Sequence, residues 1–146
     1  MNAGNGRYVI LCADDDMDDN LILSQTLRES SEGYELYVVE SARGLIDYLY
    51  HQGQFSEAEA PAPDLILVDL FFPAFEFPDF LERIEKEPEL QCIPVVAMTN
   101  TDVNEHLYEY FPYPVTGFVE KPVRLGRLMT LLASAGKCAN IPVHER

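Results

Sequence analysis

The stretch VILCADDDMDDN, residues 9–20, runs from five apolar side chains into five aspartates within six positions. Clustered carboxylates repel one another, and burial raises that cost because it removes the screening solvent. The aspartates therefore either lie on a solvated loop or surround a positive charge. In both cases they stand at the end of what looks like a buried strand, so the polar groups of the fold are expected at strand ends.

Five short runs are predicted to be strands: residues 7–13, 34–40, 64–70, 93–99 and 115–120. The first, third and fourth are almost continuously apolar, which is typical of strands buried on both faces of a parallel sheet. Helical patterns lie between them, at residues 18–30, 41–52, 78–87 and 124–134. Strand–helix–strand units connected by right-handed crossovers place helices on both faces of the sheet. The sequence therefore predicts a doubly wound α/β fold with five parallel strands.

Length and charge limit the classes of function. The 146 residues suffice for one domain, with its core at about residues 7–134 and a loosely docked tail at 135–146. The net charge of −15 disfavours nucleic acid and anionic membrane surfaces as partners. We find neither a signal peptide nor an apolar run long enough to span a membrane. The three cysteines are odd in number and lack CxxC spacing, which is more typical of a reducing compartment, so we expect a cytoplasmic protein.

Polar residues end four of the predicted strands. The first strand is followed by a run of aspartates that begins at Asp14. The corresponding residues are Asp69 for the third strand, Thr99 for the fourth and Lys121 for the fifth. In doubly wound sheets the ligand binds at the carboxyl ends of the strands, so these residues are candidates for one site. Carboxylates are suited to Mg²⁺, and a carboxylate beside the ion can attack a phosphoryl group. The ammonium and hydroxyl groups can neutralise phosphoryl oxygens.

Four sequence blocks carry a family resemblance: ILCADDDMDD (10–19), DLILVDLFFP (64–73), VVAMTNT (95–101) and GFVEKPV (117–123). In this order they resemble the receiver domain of two-component response regulators, of the single-domain, chemotaxis-regulator-like type. The resemblance implies a flavodoxin-like sheet with strand order 2-1-3-4-5. Residues 53–70 further resemble the regulators associated with bacterial phytochrome kinases.

The resemblance also implies a role for each matching residue. Asp69 would accept a phosphoryl group from a histidine kinase or a phosphotransfer protein. Mg²⁺ would be held by Asp69, by Asp15, by Asp14 partly through water, and by the backbone carbonyl of Phe71. The phosphoryl group would be contacted by Thr99 and Lys121. Phe118 would be the aromatic residue that moves with Thr99, and the Lys121–Pro122 bond would be cis.

Such a protein would be a signalling phosphoacceptor, catalysing only its own phosphorylation and dephosphorylation. The remaining aspartates of the opening stretch, Asp16, Asp18 and Asp19, would then cap the first helix and complement its dipole. A calcium loop is excluded, because Asp19 and Gln25 stand where that loop requires Gly and Glu.

Some positions depart from the family pattern and leave an alternative open. Asn100 stands where the family usually has a small residue, Phe71 places a large side chain at the site mouth, and residues 74–80 alter the following loop. These departures favour a phosphorylation-independent interaction module on the same fold. A phosphatase acting on small substrates would need an acid at position 71.

The segment before the last strand is rich in aromatic residues, namely Tyr108, Tyr110, Phe111 and Tyr113. They exceed what one amphipathic turn can bury. Either this segment forms an interaction surface, for instance of a homodimer, or it is a locally repacked core.

Overall fold

The computed structural model describes residues 8–30, 33–57, 59–69, 77–100 and 115–135. Its strands are β1 (Tyr8–Ala13), β2 (Tyr34–Val39), β3 (Leu65–Asp69), β4 (Val95–Thr99) and β5 (Gly117–Glu120). Its α-helices are α1 (Met17–Arg28), α2 (Ala42–Tyr50), α3 (Phe77–Lys86) and α4 (Leu125–Ala135), and a 3-10 turn at Gly53–Phe55 follows α2. Each strand lies inside the stretch predicted for it, and the helix ends shift by one or two residues.

The five strands form one parallel sheet in the order β2-β1-β3-β4-β5. This is the flavodoxin-like order that the resemblance implied, and the predicted fold class is confirmed. The acidic stretch follows β1, which lies between β2 and β3 inside the sheet. The carboxyl ends of all five strands point to the same edge because every pairing is parallel.

Successive residues of the strands pack on opposite faces, so each strand serves two cores. Ile10 and Cys12 face α1 and α4, whereas Leu11 and Ala13 face α2 and α3. The helices contribute buried side chains to their own faces, Leu23, Leu27 and Leu128 on one side and Leu45, Tyr48, Phe80 and Ile84 on the other. This two-sided burial explains why the sequence of β1, β3 and β4 is apolar without alternation.

Side-chain caps fix where the first two helices begin. The Asp16 carboxylate accepts a hydrogen bond from the backbone N–H of Asp19 at 3.0 Å. The Ser41 hydroxyl accepts one from the N–H of Gly44 at 2.9 Å. Both caps satisfy amides that the first helical turn leaves without a partner. The predicted capping role of Asp16 is confirmed, and Ser41 caps α2 in the same way.

Two further expectations can be compared with the described residues. Among them, no helix has the length and apolar character required to cross a bilayer. Cys12 is a free, buried thiol, but Cys92 is disulfide-bonded. The cysteine pattern was therefore wrong as evidence against a disulfide, because the number and spacing of cysteines do not determine which of them meet in space.

The core predicts a large stability difference between two leucine positions. Leu128 is fully buried against the sheet, whereas Leu21 on α1 is 63% exposed. We expect Leu128→Ala to lower the free energy of unfolding by about 2–5 kcal/mol, because it removes packed methyl groups and leaves a cavity. The matched control Leu21→Ala should change it by less than about 0.5 kcal/mol. Urea denaturation of both variants measures the difference, and equal effects would contradict the packing described for α4.

Candidate functional site

Four of the residues singled out in the sequence lie at the carboxyl edge of the sheet. Asp14 follows β1, Asp69 is the last residue of β3, Thr99 is the last residue of β4, and Lys121 follows β5. Asp14, Asp69 and Thr99 are buried, although their side chains are polar. A buried carboxylate needs a charged or hydrogen-bonding partner to offset its desolvation, so the contacts of the two aspartates define the site.

The Lys121 ammonium supplies a positive charge beside the aspartates of residues 9–20. Its Nζ lies 2.7 Å from Asp14 Oδ2, 2.7 Å from Asp19 Oδ2 and 3.3 Å from Asp69 Oδ2. The lysine side chain is only 8% exposed. An ammonium group has three N–H donors, and here three carboxylates accept them. One cation thereby connects β1, α1 and β3.

The position and charge of Lys121 are both fixed by its surroundings. Its backbone N–H donates to the Thr99 carbonyl at 2.7 Å, and its peptide bond to Pro122 is cis, as the resemblance implied. Burial lowers the pKa of the ammonium, but hydrogen bonds to Asp14 and Asp19 outweigh it and raise the pKa above its ordinary value. Lys121 therefore stays protonated throughout the physiological pH range.

Asp14 is the most constrained carboxylate of the site. One oxygen accepts from Lys121, and the other accepts from the backbone N–H of Asp16 at 3.0 Å. Its carbonyl accepts from the Asn20 side-chain amide at 2.9 Å. Desolvation by burial raises the pKa of Asp14, and its hydrogen bonds to Lys121 and Asp16 offset only part of that increase. Burial thus makes the ionised form of the Asp14 carboxylate costly.

Asp14, Asp15 and Asp69 form an acidic cluster at this edge. Each offers a carboxylate oxygen, and these oxygens lie within 4.8 Å of one another. Asp14 and Asp69 are buried, whereas Asp15 is exposed to solvent. An all-oxygen donor set with two fixed carboxylates and an open side fits a hard divalent cation that keeps part of its water shell. The donor chemistry of the cluster therefore fits the metal that the sequence predicted.

Of the other predicted site residues, Thr99 and Phe118 are described by the structure and Phe71 is not. Thr99 is fully buried, and its backbone carbonyl accepts a hydrogen bond from the backbone N–H of Lys121. Phe118 is buried in β5 on the face that packs against α2 and α3, beside Ala97 of β4. Phe71 lies outside the described residues, and so do the aromatic residues between 108 and 113. The backbone carbonyl assigned to Phe71 as a metal ligand stays a prediction.

Sequence reasoning missed one member of the site. Asp19 was assigned to the dipole of α1, but its carboxylate is a partner of Lys121 at 2.7 Å. A helix that begins directly after a parallel strand places its first turn at the carboxyl end of that strand. That rule, together with the single lysine among the strand-end residues, is the signal that could have identified Asp19.

A cavity adjoins the site on the side of α1. It has a volume of about 230 Å³ and lies between α1 and the residues that follow β5, with Lys121 and Asn100 in its lining. Its inner wall is apolar and includes Cys12, Leu23 and Met98. Asn100, which departs from the family pattern, is thus exposed beside Lys121.

The sheet order and the carboxylates around a buried lysine define a class of signalling protein. The chain belongs to the response regulator receiver domain family, whose model matches residues 10–133. Members of this family are generally signalling phosphoacceptors in two-component systems rather than metabolic enzymes.

The similar proteins include regulators of phytochrome systems. Response regulator Rcp1 of Synechocystis sp. is 27% identical over 128 residues, covering 88% of this chain and 86% of Rcp1. The solved bacteriophytochrome response regulator RtBRR has a TM-score of 0.71 and 28% identity, covering 88% of this chain and 78% of its own. The Mn²⁺-bound form of Rcp1 has a TM-score of 0.64 and 26% identity, covering 88% and 91% of the two chains.

The burial of Asp14 predicts how stability depends on pH. Its pKa is higher in the folded protein than in the unfolded chain, so folding takes up a proton between the two values. The stability contributed by this group therefore falls as pH rises through that window. We expect Asp14→Asn to be more stable than the wild type at neutral pH in the presence of a chelator. The gain should disappear on acidification below the ordinary aspartate range. Urea denaturation across pH measures both effects.

Asp79→Asn is the matched control for this experiment. The substitution removes the same charge, but Asp79 is exposed in the first turn of α3. It should show no comparable pH-dependent gain. A loss of stability in Asp14→Asn at neutral pH would mean that the ion pair with Lys121 outweighs the cost of burying Asp14.

Proposed function

We propose that this chain is a phosphorylation-controlled switch that accepts a phosphoryl group on Asp69, with Mg²⁺, from a histidine kinase or a phosphotransfer protein. The observation that carries the proposal is the Lys121 ammonium, which lies within 3.3 Å of Asp69 and beside the three-carboxylate cluster. A buried carboxylate, a lysine ammonium and a cluster of carboxylate oxygens lie at one edge of the sheet, which is the set of groups that this reaction would need. Family membership supports the same assignment.

Phosphoryl transfer to Asp69 would proceed by in-line displacement. An oxygen of Asp69 attacks phosphorus, the bond from phosphorus to the donor's imidazole nitrogen breaks, and that nitrogen keeps the electron pair. Asp14, Asp15 and Asp69 would hold Mg²⁺, which would supply positive charge to neutralise the phosphoryl oxygens. Lys121 donates to a phosphoryl oxygen while its backbone stays bonded to Thr99. The Thr99 hydroxyl would donate to another oxygen, and later attack by water on phosphorus returns Asp69 and inorganic phosphate.

The acids would divide their roles according to exposure. Asp15 is open to solvent and suits direct coordination of an entering ion, whereas Asp14 already has both oxygens bonded and suits contact through water. Phe71 would supply its backbone carbonyl. Lys121 contacts both Asp14 and Asp69, and a bound ion would share in balancing the charges of these two carboxylates.

The output would be a change of surface rather than a reaction on a metabolite. Thr99 ends β4, and Phe118 lies in the neighbouring strand opposite Ala97. A shift of Thr99 toward a phosphoryl group would change the space available to Phe118. We infer that a downstream protein or a second copy of the chain reads this change. The net charge of −15 disfavours nucleic acid and anionic membranes as that partner.

A phosphorylation-independent interaction module is the second candidate. Asn100 supports it, because this exposed amide lines the cavity next to Lys121 where the family usually has a small residue. A side chain at that position narrows the approach of a phosphodonor. The two candidates differ in one measurable property, which is covalent labelling of Asp69.

Intact mass spectrometry after incubation with phosphoramidate tests the proposed switch. We expect the protein to gain the mass of one phosphoryl group with Mg²⁺, and to gain nothing with a chelator or in Asp69→Asn. The control Asp79→Asn removes an exposed carboxylate outside the site and should label like the wild type. A phosphorylated phosphotransfer domain serves as a second donor, in case Asn100 excludes the small one. No label from either donor, together with no binding of Mg²⁺ in calorimetry, would leave the interaction module as the function.

A further inference from the structure

Of the three described carboxylates that contact the Lys121 ammonium, Asp19 is the one outside the acidic cluster. The cluster consists of Asp14, Asp15 and Asp69, whereas Asp19 lies on the first turn of α1 and reaches Lys121 Nζ at 2.7 Å. That distance equals the one to Asp14 and is shorter than the 3.3 Å to Asp69. Asp19 is also more accessible than the other two, with a side chain 32% exposed.

The backbone of Asp19 is firmly connected to the end of β1. Its N–H donates to the capping Asp16 carboxylate, and the Asp16 N–H in turn donates to Asp14 Oδ1, each at 3.0 Å. The next residue, Asn20, donates from its side chain to the Asp14 carbonyl at 2.9 Å. The Asp19 carboxylate therefore extends from a fixed helical turn. A contact made from such a support can hold a long, flexible lysine side chain in one place.

The three acceptors of Lys121 would not be used equally during phosphoryl acceptance. A bound divalent cation would draw on the oxygens of Asp14 and Asp69, and phosphorylation of Asp69 would turn one of its two carboxylate oxygens into the bridging oxygen of an acyl phosphate. Asp19 is the acceptor that neither event consumes. An ammonium with three donors can keep its bond to Asp19 while it turns another N–H to a phosphoryl oxygen.

We propose that Asp19 is a positioning residue for phosphoryl acceptance, because it holds the Lys121 ammonium beside Asp69 when the other two carboxylates are engaged by the metal and the phosphoryl group. This inference rests on the proposed function. A carboxylate near the site also repels an anionic donor, and this repulsion acts against the positioning effect. A variant that loses only the charge of Asp19, compared with one that also loses its hydrogen bond, separates repulsion of the donor from positioning of Lys121.

Three variants separate these contributions. Asp19→Asn removes the charge but keeps an oxygen that can accept from Lys121, and Asp19→Ala removes both. Asp18→Asn is the matched control, because Asp18 is exposed on the same helical turn and complements the same helix dipole without contacting Lys121. The first readout is the binding of beryllofluoride, a phosphoryl analogue, with Mg²⁺, followed by ¹⁹F NMR. The others are Mg²⁺ affinity from calorimetry and the phosphorylation rate as a function of phosphoramidate concentration.

We expect Asp19→Ala to weaken beryllofluoride binding and to slow phosphorylation at saturating donor by about tenfold, as for loss of one hydrogen bond to a charged group. Asp19→Asn should recover most of that loss, and the donor concentration at half-maximal rate should stay unchanged. The Mg²⁺ affinity of both variants should match that of Asp18→Asn.

The proposal is overturned if Asp19→Ala and Asp19→Asn both behave like Asp18→Asn, or if either binds beryllofluoride more tightly than the wild type. It is also overturned if Mg²⁺ affinity falls in the Asp19 variants alone, because Asp19 would then be a metal ligand. A wild-type protein that binds neither beryllofluoride nor phosphoryl groups would instead refute the proposed function itself.

Discussion

The ion pairs of Lys121 are the interaction on which the arrangement of this site depends. Three carboxylates from two strand ends and one helix converge on a single ammonium, and two of them are buried. Without that cation, the end of β1 and the end of β3 would place like charges next to each other in a region with little solvent. Each buried carboxylate is costly alone, and the lysine offsets the repulsion between them. The same proximity is what a divalent cation requires.

The fold supplies this convergence through parallel pairing. All strands end at one edge, so residues far apart in the chain meet there without any long connection between them. The interior of the sheet needs apolar residues on both faces and contributes no chemistry. Stability and function are thus separated along each strand. The apolar body of β3 packs both cores, and its last residue, Asp69, belongs to the site.

The α/β fold class could be predicted from the sequence for two reasons. Strands β1, β3 and β4 are continuously apolar because both of their faces are buried, and strand and helix patterns alternate regularly. The sequence was also sufficient to group Asp14, Asp69, Thr99 and Lys121 at one edge, since each follows or ends a predicted strand. It did not reveal Asp19 as a partner of Lys121. Helical periodicity assigns a residue to a turn, but the partner across the site depends on how far a lysine from β5 extends. The disulfide at Cys92 was missed for a similar reason, because spacing along the chain says little about pairs that form in space.

The position of each charged group within the sheet has a further consequence. Asp14 and Asp69 follow or end β1 and β3, and each of these strands is hydrogen-bonded to a neighbour on both sides. Lys121 follows β5, which among the described strands is bonded only to β4. The two buried carboxylates therefore stand at strands that are paired on both sides, whereas the lysine follows a strand at the margin of the sheet. A molecule that binds at this margin can move the Lys121 ammonium while the carboxylates of Asp14 and Asp69 stay in place. Binding at one side of the sheet can therefore change the charge balance of the site.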